Sequence, residues 1–489
     1  MMNTQIATLG ALKASGYESK TLTEELRDNL SAKIKSGAKV FENIIGYDDT
    51  VIPELERAVL AGHSINFLGL RGQGKTKMAR LLVQLLDEYV PVISGSALNE
   101  DPLKPVTTAS EKLIAEKGDA TPVSWWHRSK RYAEKLATPD VNIADLIGDI
   151  DPIKAAHHKL SLSDEEAINY GIIPRSNRGL FVINELPDLQ PRIQVALFNL
   201  LQEGDLQIRG HKFRIPMDVQ FVFTSNPEDY TNRGSIITPL KDRIQSQIYT
   251  HYPESNLIGR TITKQEIKRQ KGQVNIVVPE VIEKLIEQIA IEARKSEFID
   301  AKSGVSARLP ISAYENVLSA VERRMLINGD KHGTARIGDL TAAIPAIIGK
   351  IEMVYEGEQE GAPNVARHLI SEATRSIAPE YFKNIDQLSK KRASQELKEA
   401  YLEITSWFES GNQIDLTNEM TEAAYEEALN SIDCLDKKVS EVSSDTSEKS
   451  VLKEFLLTAL AAFSILERKD LRTSVSFQDY FSSVIGGLK

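Results

Sequence analysis

Residues 69–76 have the sequence Gly-Leu-Arg-Gly-Gln-Gly-Lys-Thr, which matches the pattern G-x-x-x-x-G-K-[S/T] in full. Glycines let backbone N–H groups curve around phosphate oxygens without a clash from a Cβ atom. Lys75 would place a positive charge near the terminal phosphates, and the hydroxyl of Thr76 can bind Mg²⁺. The spacing predicts a loop that binds ATP and Mg²⁺, with candidate contacts at Gly69, Arg71, Gly72, Gln73, Gly74, Lys75, Thr76 and Lys77.

The residues on either side of this loop have the patterns of a strand and a helix. The run INFLGL before it is apolar, and KMARLLVQLLDEY after it has the periodicity of an amphipathic helix. A phosphate group would then meet the N-terminal end of a helix, where N–H groups and the helix dipole favour negative charge. A chance glycine-rich turn is the alternative, and the strand and helix in register argue against it.

A second element that could do chemistry is the run Gly-Leu-Phe-Val-Ile-Asn-Glu at 179–185. It has the form of a Walker B element, an apolar strand that usually ends in Asp-Glu. Glu185 can orient and deprotonate an attacking water, and Asn184 stands where an aspartate normally holds Mg²⁺. Asn184 keeps an oxygen ligand but lacks the charge, so we expect weaker binding of the metal. The alternative is an ordinary strand end with a solvated glutamate.

Five apolar runs predict the strands of a parallel α/β sheet that is buried on both faces. They lie at 65–70, 90–94, 180–185, 219–225 and 247–251. The stretch of about 95–178 is too long for a simple connection, so we expect an insertion with helices there. Residues of about 204–218 alternate apolar and polar types around Gly210, which predicts a β-hairpin before the fourth strand.

The sequence patterns divide the chain into four regions. Residues 1–40 are polar and predict an N-terminal helical lead-in, and residues 41–255 predict an α/β nucleotide-binding domain. Residues 256–357 have helical periodicity and predict a helical lid domain. Residues 358–489 predict a helical C-terminal region, which a charged, Ser-rich flexible linker interrupts at 436–450.

The composition indicates a soluble globular protein. Of the 489 residues, 41% are hydrophobic and 26% are charged, and the formal net charge is −10. The acidity argues against nucleic acid as the partner. Cys434 is the only cysteine, which excludes a disulfide framework and indicates a reducing compartment. The N-terminal stretch lacks a signal-peptide pattern and no apolar run is long enough to span a bilayer, so we expect a cytoplasmic protein without a membrane span.

Residues of about 40–350 resemble the AAA+ superfamily, and within it the MoxR and magnesium-chelatase ATPase-subunit branch. The segment FENIIGYDDTVIPELERAV resembles the part of these proteins that lies near the adenine, with Ile45 and Gly46 at its centre. NRGLFVINELPDL and IQVALFNLLQEGDLQIRG resemble the Walker B strand, the helix after it and the hairpin inserted in that helix. The resemblance implies a P-loop AAA+ core, a five-stranded parallel sheet with a β-hairpin insert, followed by an all-α lid.

The resemblance also implies roles for residues outside the two Walker elements. VQFVFTSNPEDY resembles the sensor-1 strand, which places Asn226 near the γ-phosphate and the attacking water. LKDRI resembles the segment with the arginine finger, so Arg243 would reach the γ-phosphate in a neighbouring subunit, and Arg233 is a rival for this role. GVSARLP resembles the sensor-2 segment of the lid and suggests Arg308 as a nucleotide contact. A surface ion pair is the alternative for each single arginine.

The resemblance implies a homo-oligomeric ring, usually a hexamer, with ATP at the subunit interfaces. Members of this branch remodel or activate partner proteins, often of the von Willebrand factor A type, so we expect a Mg-dependent ATPase that acts on such a partner. A magnesium-chelatase motor subunit and a nucleic-acid motor are the alternatives. A GAFTGA-like loop is absent from the sequence, so an enhancer-binding transcription activator is set aside. The Asn184 departure and the unmatched residues 358–489 count against porphyrin metallation.

Overall fold

The computed structural model of the chain describes residues 4–159, 161, 164–208, 214–227, 234–388, 395–443, 446–471 and 474–479. Contacts between residues divide the chain into two units, Met1–His251 and Tyr252–Lys489. Within the described residues, no helix combines the length and the apolar character that crossing a lipid bilayer requires.

Strands and helices alternate along the first unit. Its strands are β1 (Ile65–Leu68), β2 (Tyr89–Ile93), β3 (Val123–His127), β4 (Tyr132–Leu136), β5 (Gly148–Ile150), β6 (Ile168–Tyr170), β7 (Gly179–Asn184), β8 (Asp205–Gln207), β9 (Arg214–Pro216), β10 (Val219–Ser225) and β11 (Ser246–Tyr249). Its helices are α1 (Leu9–Ala14), α2 (Leu22–Ser36), α3 (Val51–Leu60), α4 (Lys75–Leu81), α5 (Thr108–Lys117), α6 (Ile143–Leu146), α7 (Pro152–His158), α8 (Ile172–Arg175), α9 (Pro191–Ala196), α10 (Phe198–Gln202) and α11 (Thr238–Arg243).

Five of these strands form one parallel sheet in the order β11-β1-β10-β7-β4. Ile65 of β1 pairs with Val222 of β10 on one side and with Ser246 of β11 on the other. β7 lies between β10 and β4. Because all five strands run in the same direction, their carboxyl ends meet at one edge of the sheet, where ligands of such folds bind.

Hydrophobic side chains cover both faces of this sheet. Along β7, Leu180 and Val182 pack into a core with residues of α2, α3 and α4. Phe181 and Ile183 alternate with them and pack into a second core with residues of α9, α10 and α11. Burial on both faces explains why the central strands are continuous apolar runs.

The predicted core strand at 90–94 is wrong. This run forms β2, which pairs antiparallel with β3 in a separate two-stranded sheet, with Val90 opposite Trp126. The missing core strand is β4, which lies inside the stretch predicted as an insertion and pairs in parallel with β7. β4 is an edge strand whose residues are mostly half-buried, so its sequence Tyr-Ala-Glu-Lys-Leu lacks the apolar run of a central strand.

The predicted hairpin is present as β8 and β9, with Leu206 opposite Ile215. Both of these side chains are buried and belong to the core that also contains Phe181 and Phe221. The hairpin is therefore anchored on the α/β unit by its apolar face. Its tip, residues 209–213, lies outside the described residues.

Charged residues tie the amino-terminal edge of the sheet to helix α2. Arg131, Arg178 and Asp218 directly precede β4, β7 and β10. The Arg131 guanidinium makes two hydrogen bonds of 2.6 Å to the carboxylate of Glu25 on α2 and one of 2.7 Å to the carbonyl oxygen of Arg178. Asp218 accepts a hydrogen bond of 2.7 Å from the N–H of Leu22. The predicted N-terminal lead-in is therefore an integral part of the α/β unit.

The second unit is mainly helical. Its helices are α12 (Asn256–Glu266), α13 (Glu280–Ala293), α14 (Arg308–Asn328), α15 (Ile344–Ile348), α16 (Tyr355–Glu360), α17 (Ala362–Tyr381), α18 (Gln395–Glu409), α19 (Glu422–Asn430), α20 (Asp433–Ser440) and α21 (Thr446–Ala462). The strands β12 (Ile276–Val277) and β13 (Gly333–Thr334) pair in parallel. The strands β14 (Ile414–Thr417), β15 (Leu466–Asp470) and β16 (Ser474–Asp479) form an antiparallel sheet in the order β14-β16-β15. This sheet is an addition to the predicted helical C-terminal region.

One hydrophobic core joins the predicted lid to the predicted C-terminal region. This core extends along the sequence from Ile276 to Phe477. A buried carboxylate strengthens the connection, because Glu454 of α21 accepts hydrogen bonds of 2.9 Å from the backbone N–H groups of Ile337 and Gly338. The two regions therefore pack as one unit.

The predicted flexible linker at 436–450 is wrong. Most of these residues lie in α20 and α21. Leu435 and Val439, four residues apart, are buried on the inner face of α20. The charged and serine residues between and around them occupy the outer face, which gives the segment its linker-like composition.

We expect Glu25→Gln to lower the free energy of unfolding by about 3–5 kcal/mol, because the buried guanidinium of Arg131 would lose its charged partner. The matched control is Asp28→Asn on the same helix, whose ion pair with Lys20 is exposed and therefore contributes little. Denaturant unfolding, followed by the fluorescence of Trp125 and Trp126, measures both variants. Equal losses of stability would contradict a special role for the buried pair.

Candidate functional site

The loop 69–76 joins β1 to α4 at the carboxyl edge of the sheet. Gly72 and Gly74 have φ angles of 76° and 74°, which residues with a Cβ atom rarely adopt. Gly69 is required for space, because a Cβ atom there would lie 2.0 Å from Oγ1 of Thr250 and 2.2 Å from Oε1 of Gln73. The Thr250 hydroxyl donates to that Gln73 oxygen at 2.7 Å and so fixes the loop against the end of β11.

Lys75 is the first residue of α4, and only 7% of its surface is exposed. Its ammonium group donates hydrogen bonds to the carbonyl oxygens of Gly69 and Leu70, the latter at 2.9 Å. It also donates to Oδ1 of Asn226, which directly follows β10, at 2.6 Å. The positive charge is therefore held between the ends of two neighbouring strands, where it can attract phosphate oxygens.

Asn184 is the last residue of β7, and its amide oxygen faces two hydroxyl groups. Thr76 donates to this oxygen at 3.1 Å and Thr224 at 3.3 Å. The two predicted metal ligands, Thr76 and Asn184, are thus brought together as a pair of neutral oxygen donors. Such a pair suits Mg²⁺ when phosphate oxygens and water complete the coordination shell. Among the described residues, no group of three or more His, Cys, Asp or Glu side chains could hold a metal ion.

Glu185 follows β7 in the left-handed region, with φ of 56°. A residue with a Cβ atom is rarely found there, and such strain is often retained at functional sites. Its N–H group donates to the hydroxyl of Thr224 at 3.2 Å. Its carboxylate accepts a hydrogen bond of 2.8 Å from the side-chain amide of Asn226. The sharp turn therefore directs the carboxylate toward the residue that also contacts Lys75.

Hydrogen bonds connect these side chains into one group, which we call the strand-end cluster. Its members come from α4 and from the ends of β7 and β10; they are Lys75, Thr76, Asn184, Glu185, Thr224 and Asn226. Thr224 is absent from the sequence-based set of site residues. A signal for it was present, because it is a polar residue two positions before Asn226 and thus on the same side of β10.

The segment of Ile45 and Gly46 approaches the loop through the next residue, Tyr47. Ile45 and Gly46 are half-buried, and Gly46 has a φ of 80°. The buried Tyr47 hydroxyl lies 2.9 Å from the carbonyl oxygen of Gln73 and 2.7 Å from that of His251. Tyr47 therefore links this segment to the phosphate loop, a contact that the motif alone does not reveal.

The predicted arginines lie apart from these hydrogen bonds. Arg243, the last residue of α11, donates to Gln202 at 3.0 Å and to the carbonyl oxygen of Pro239 at 2.7 Å, and its guanidinium stacks 4.5 Å above the ring of Phe198. Arg308 begins α14 in the second unit. Arg233 lies outside the described residues.

The two remaining predicted phosphate contacts are Arg71 and Lys77. Arg71 is half-buried within the loop and Lys77 is half-buried in the first turn of α4. Their positions on the phosphate loop and its helix agree with contacts to a phosphate chain, which stay a prediction.

Comparisons with known proteins point to one superfamily. The family model described as the Sigma-54 interaction domain matches residues 156–247, which contain β7, β10 and the hairpin. The Magnesium-chelatase 38 kDa subunit of Rhodobacter capsulatus is 26% identical over 217 residues, which are 42% of this chain and 56% of that protein. The Hydrogenase transcriptional regulatory protein HoxA of Cupriavidus necator is 25% identical over 122 residues, 24% of this chain and 23% of that protein.

A solved complex of the magnesium-chelatase subunits BchI and BchD is 18% identical, with a TM-score of 0.33 over 65% of this chain and 97% of the matched one. The chain spans only about a quarter and just over half of the two curated relatives. The family model covers β7, the hairpin and β10, and the match to the chelatase subunit spans more residues. Together with the parallel sheet and the glycine-rich loop at its carboxyl edge, these partial matches make the chain similar to AAA+ ATPases of the magnesium-chelatase branch.

Proposed function

We propose that the strand-end cluster binds Mg-ATP and hydrolyses it. The observation that supports this most is the connected set of hydrogen bonds from Lys75 through Asn226 to Glu185 and from Thr76 to Asn184. It gathers a phosphate-binding cation, two oxygen ligands for a metal and a carboxylate at one sheet edge. These are the parts that phosphoryl transfer to water requires.

Each residue of the cluster has a distinct part in this proposal. Lys75 attracts the phosphate oxygens, and the backbone of the glycine-rich loop surrounds them. Asn226 orients the γ-phosphate or the water, while it positions the carboxylate of Glu185. Glu185 orients the water and accepts its proton, and its fixed turn keeps the carboxylate at the strand end.

Thr76 and Asn184 are the residues that would hold Mg²⁺. When bound, the ion neutralises charge on the phosphate oxygens during transfer. Asn184 provides an oxygen but no charge, so the protein contributes less to metal affinity than an aspartate would. The phosphates and Glu185 then supply the negative charge at this position.

The ring assembly is part of the same proposal. Arg243 is the best candidate for a residue that acts in trans, because its guanidinium is fixed in its own subunit by Phe198 and Gln202. A guanidinium that is already oriented loses little freedom when it meets a phosphate. We infer a homo-oligomer, with a hexamer as the expected ring, in which the neighbouring subunit completes each site.

We propose that ATP hydrolysis drives the remodelling or activation of a partner protein, possible partners being proteins with a von Willebrand factor A domain. The similarity to a magnesium-chelatase subunit supports a second candidate, a motor subunit of a metal-insertion complex. A nucleic-acid motor is the third, and the net charge of −10 disfavours it. Capture of a von Willebrand factor A protein would support the first candidate. Stimulation of the ATPase activity by porphyrin would support the second, and salt-sensitive DNA binding would support the third.

We expect Asn184→Asp to lower the Mg²⁺ concentration that half-saturates ATP hydrolysis by about tenfold, because the added carboxylate attracts the cation. The matched control is Asn142→Asp, which makes the same change at an exposed helix N-cap where either residue is suitable. Steady-state ATPase assays over a range of Mg²⁺ measure both. An unchanged Mg²⁺ requirement in Asn184→Asp would show that residue 184 does not contact the metal.

We expect the ATPase rate per subunit to rise steeply with protein concentration, because the site is completed by a neighbour. Arg243→Ala should reduce kcat by about 10³ with ATP binding unchanged, and Arg243→Lys should restore only a small part, since lysine lacks the planar fork. The control is Arg192→Ala, an exposed arginine of α9. A rate per subunit that is independent of concentration, together with full activity of Arg243→Ala, would contradict the ring.

A further inference from the structure

A cavity lies in the first unit, away from the strand-end cluster. Its volume is about 510 Å³, within the range of small-molecule sites. Its walls are the segment after β2, one side of α5, Lys154 of α7 and the segment from Glu165 to Tyr170. It shares no lining residue with the strand-end cluster.

The buried carboxylate of Glu100 lies behind one wall of this cavity. Glu100 is 1% exposed and accepts hydrogen bonds from the hydroxyls of Ser96, Thr107 and Ser110 at 2.8, 2.8 and 2.6 Å. It also accepts bonds from the N–H groups of Val106 and Thr107 at 2.6 and 2.9 Å. Each hydroxyl has one proton and has committed it to Glu100, so these three hydroxyls cannot donate a hydrogen bond to a ligand.

The opposite side of the cavity carries both carboxylates and lysine ammonium groups. The Tyr170 hydroxyl donates to the carboxylate of Glu165 at 3.3 Å, and burial together with this carboxylate raises the pKa of Tyr170 above its usual value. Lys112 pairs with Glu166 at 2.9 Å, and Lys154 donates to the carbonyl oxygen of Ile168 at 3.2 Å. The carboxylates of Glu165 and Glu166 therefore place oxygen acceptors on this side of the cavity, next to the two ammonium groups.

Unmatched negative charge remains at the cavity. The acidic and basic residues of the lining are Lys112, Lys154, Glu116, Glu165 and Glu166, and Glu100 lies behind the wall. Two positive and four negative charges leave a net charge of −2. Glu116, exposed at the C-terminal part of α5, has no hydrogen-bonding partner in the part of the chain that the structure describes. Apolar surface is also present, since Ile93, Leu113 and Ile168 line the cavity.

We propose that this cavity binds a cation on an aliphatic stem, a guanidinium or primary ammonium group. The carboxylate oxygens and the net negative charge suit a cationic ligand that donates hydrogen bonds. The isoleucine and leucine side chains suit the methylene groups behind the charge. The ligand is either a free amine or guanidine, or an arginine or lysine side chain of a bound protein. The site does not depend on nucleotide chemistry.

Isothermal titration calorimetry of the full chain tests the proposal with n-butylguanidinium and with its neutral analogue n-butylurea. The guanidinium should bind at least tenfold more tightly, and Glu116→Lys should weaken it at least tenfold by placing an ammonium group at the cavity. The matched control is Glu111→Lys, which makes the same charge change on α5 outside the cavity. It should retain binding within about twofold.

A second arm uses the peptide acetyl-Gly-Arg-Gly-amide and its citrulline counterpart. Tighter binding of the arginine peptide than of n-butylguanidinium assigns the cavity to a protein side chain, and weaker binding assigns it to a free small cation. Three results would overturn the proposal: equal binding of the charged and neutral probes, equal loss in Glu111→Lys and Glu116→Lys, or no binding of either cationic probe.

Discussion

The buried ammonium group of Lys75 sets the requirements for the loop and the sheet of the first unit. A buried charge is costly unless hydrogen-bond acceptors surround it, and here two loop carbonyls and the side-chain oxygen of Asn226 do so. The loop must curl for its carbonyls to reach the charge, which requires glycines. Asn226 can reach it only because β10 is the parallel neighbour of β1. The same sheet order places β7 beside β10 and so brings Glu185 and Asn184 to the cluster.

The opposite edge of the sheet is fixed by a different set of charges. Arg131 and Asp218 stand directly before their strands and bind Glu25 and the start of helix α2. A strand that is held at its amino end has a defined register, so its carboxyl end has a defined position. The N-terminal helices thereby support the geometry of the cluster from the far side of the sheet. This arrangement also explains why polar residues of the N-terminal region belong to the packed unit.

Much of the sheet and of the cluster follows from the sequence, and the exceptions have physical causes. The strands β1, β7 and β10 are buried on both faces, so they are apolar runs that end at chemically informative residues. Strand β4 was missed because an edge strand is half-exposed and has mixed composition. The segment 436–450 has a linker-like composition because the charged residues of α20 lie on the outer face of that helix. Tyr47 and Thr224 were missed because their roles depend on contacts between residues distant in sequence. The roles of Arg243 and Arg308 in nucleotide contact stay predictions, since each requires a surface beyond the first unit.

In the proposed function, Glu185 activates water at a site that binds ATP through other residues. Single-turnover hydrolysis of radiolabelled ATP, with binding measured in parallel, tests it directly on the wild type and Glu185→Gln, with Glu203→Gln as the exposed control. We expect Glu185→Gln to bind Mg-ATP within about threefold of the wild type while its hydrolysis rate falls by about 10² or more, and Glu203→Gln to behave as the wild type. Undiminished hydrolysis by Glu185→Gln, or a wild type that binds no ATP, would contradict it.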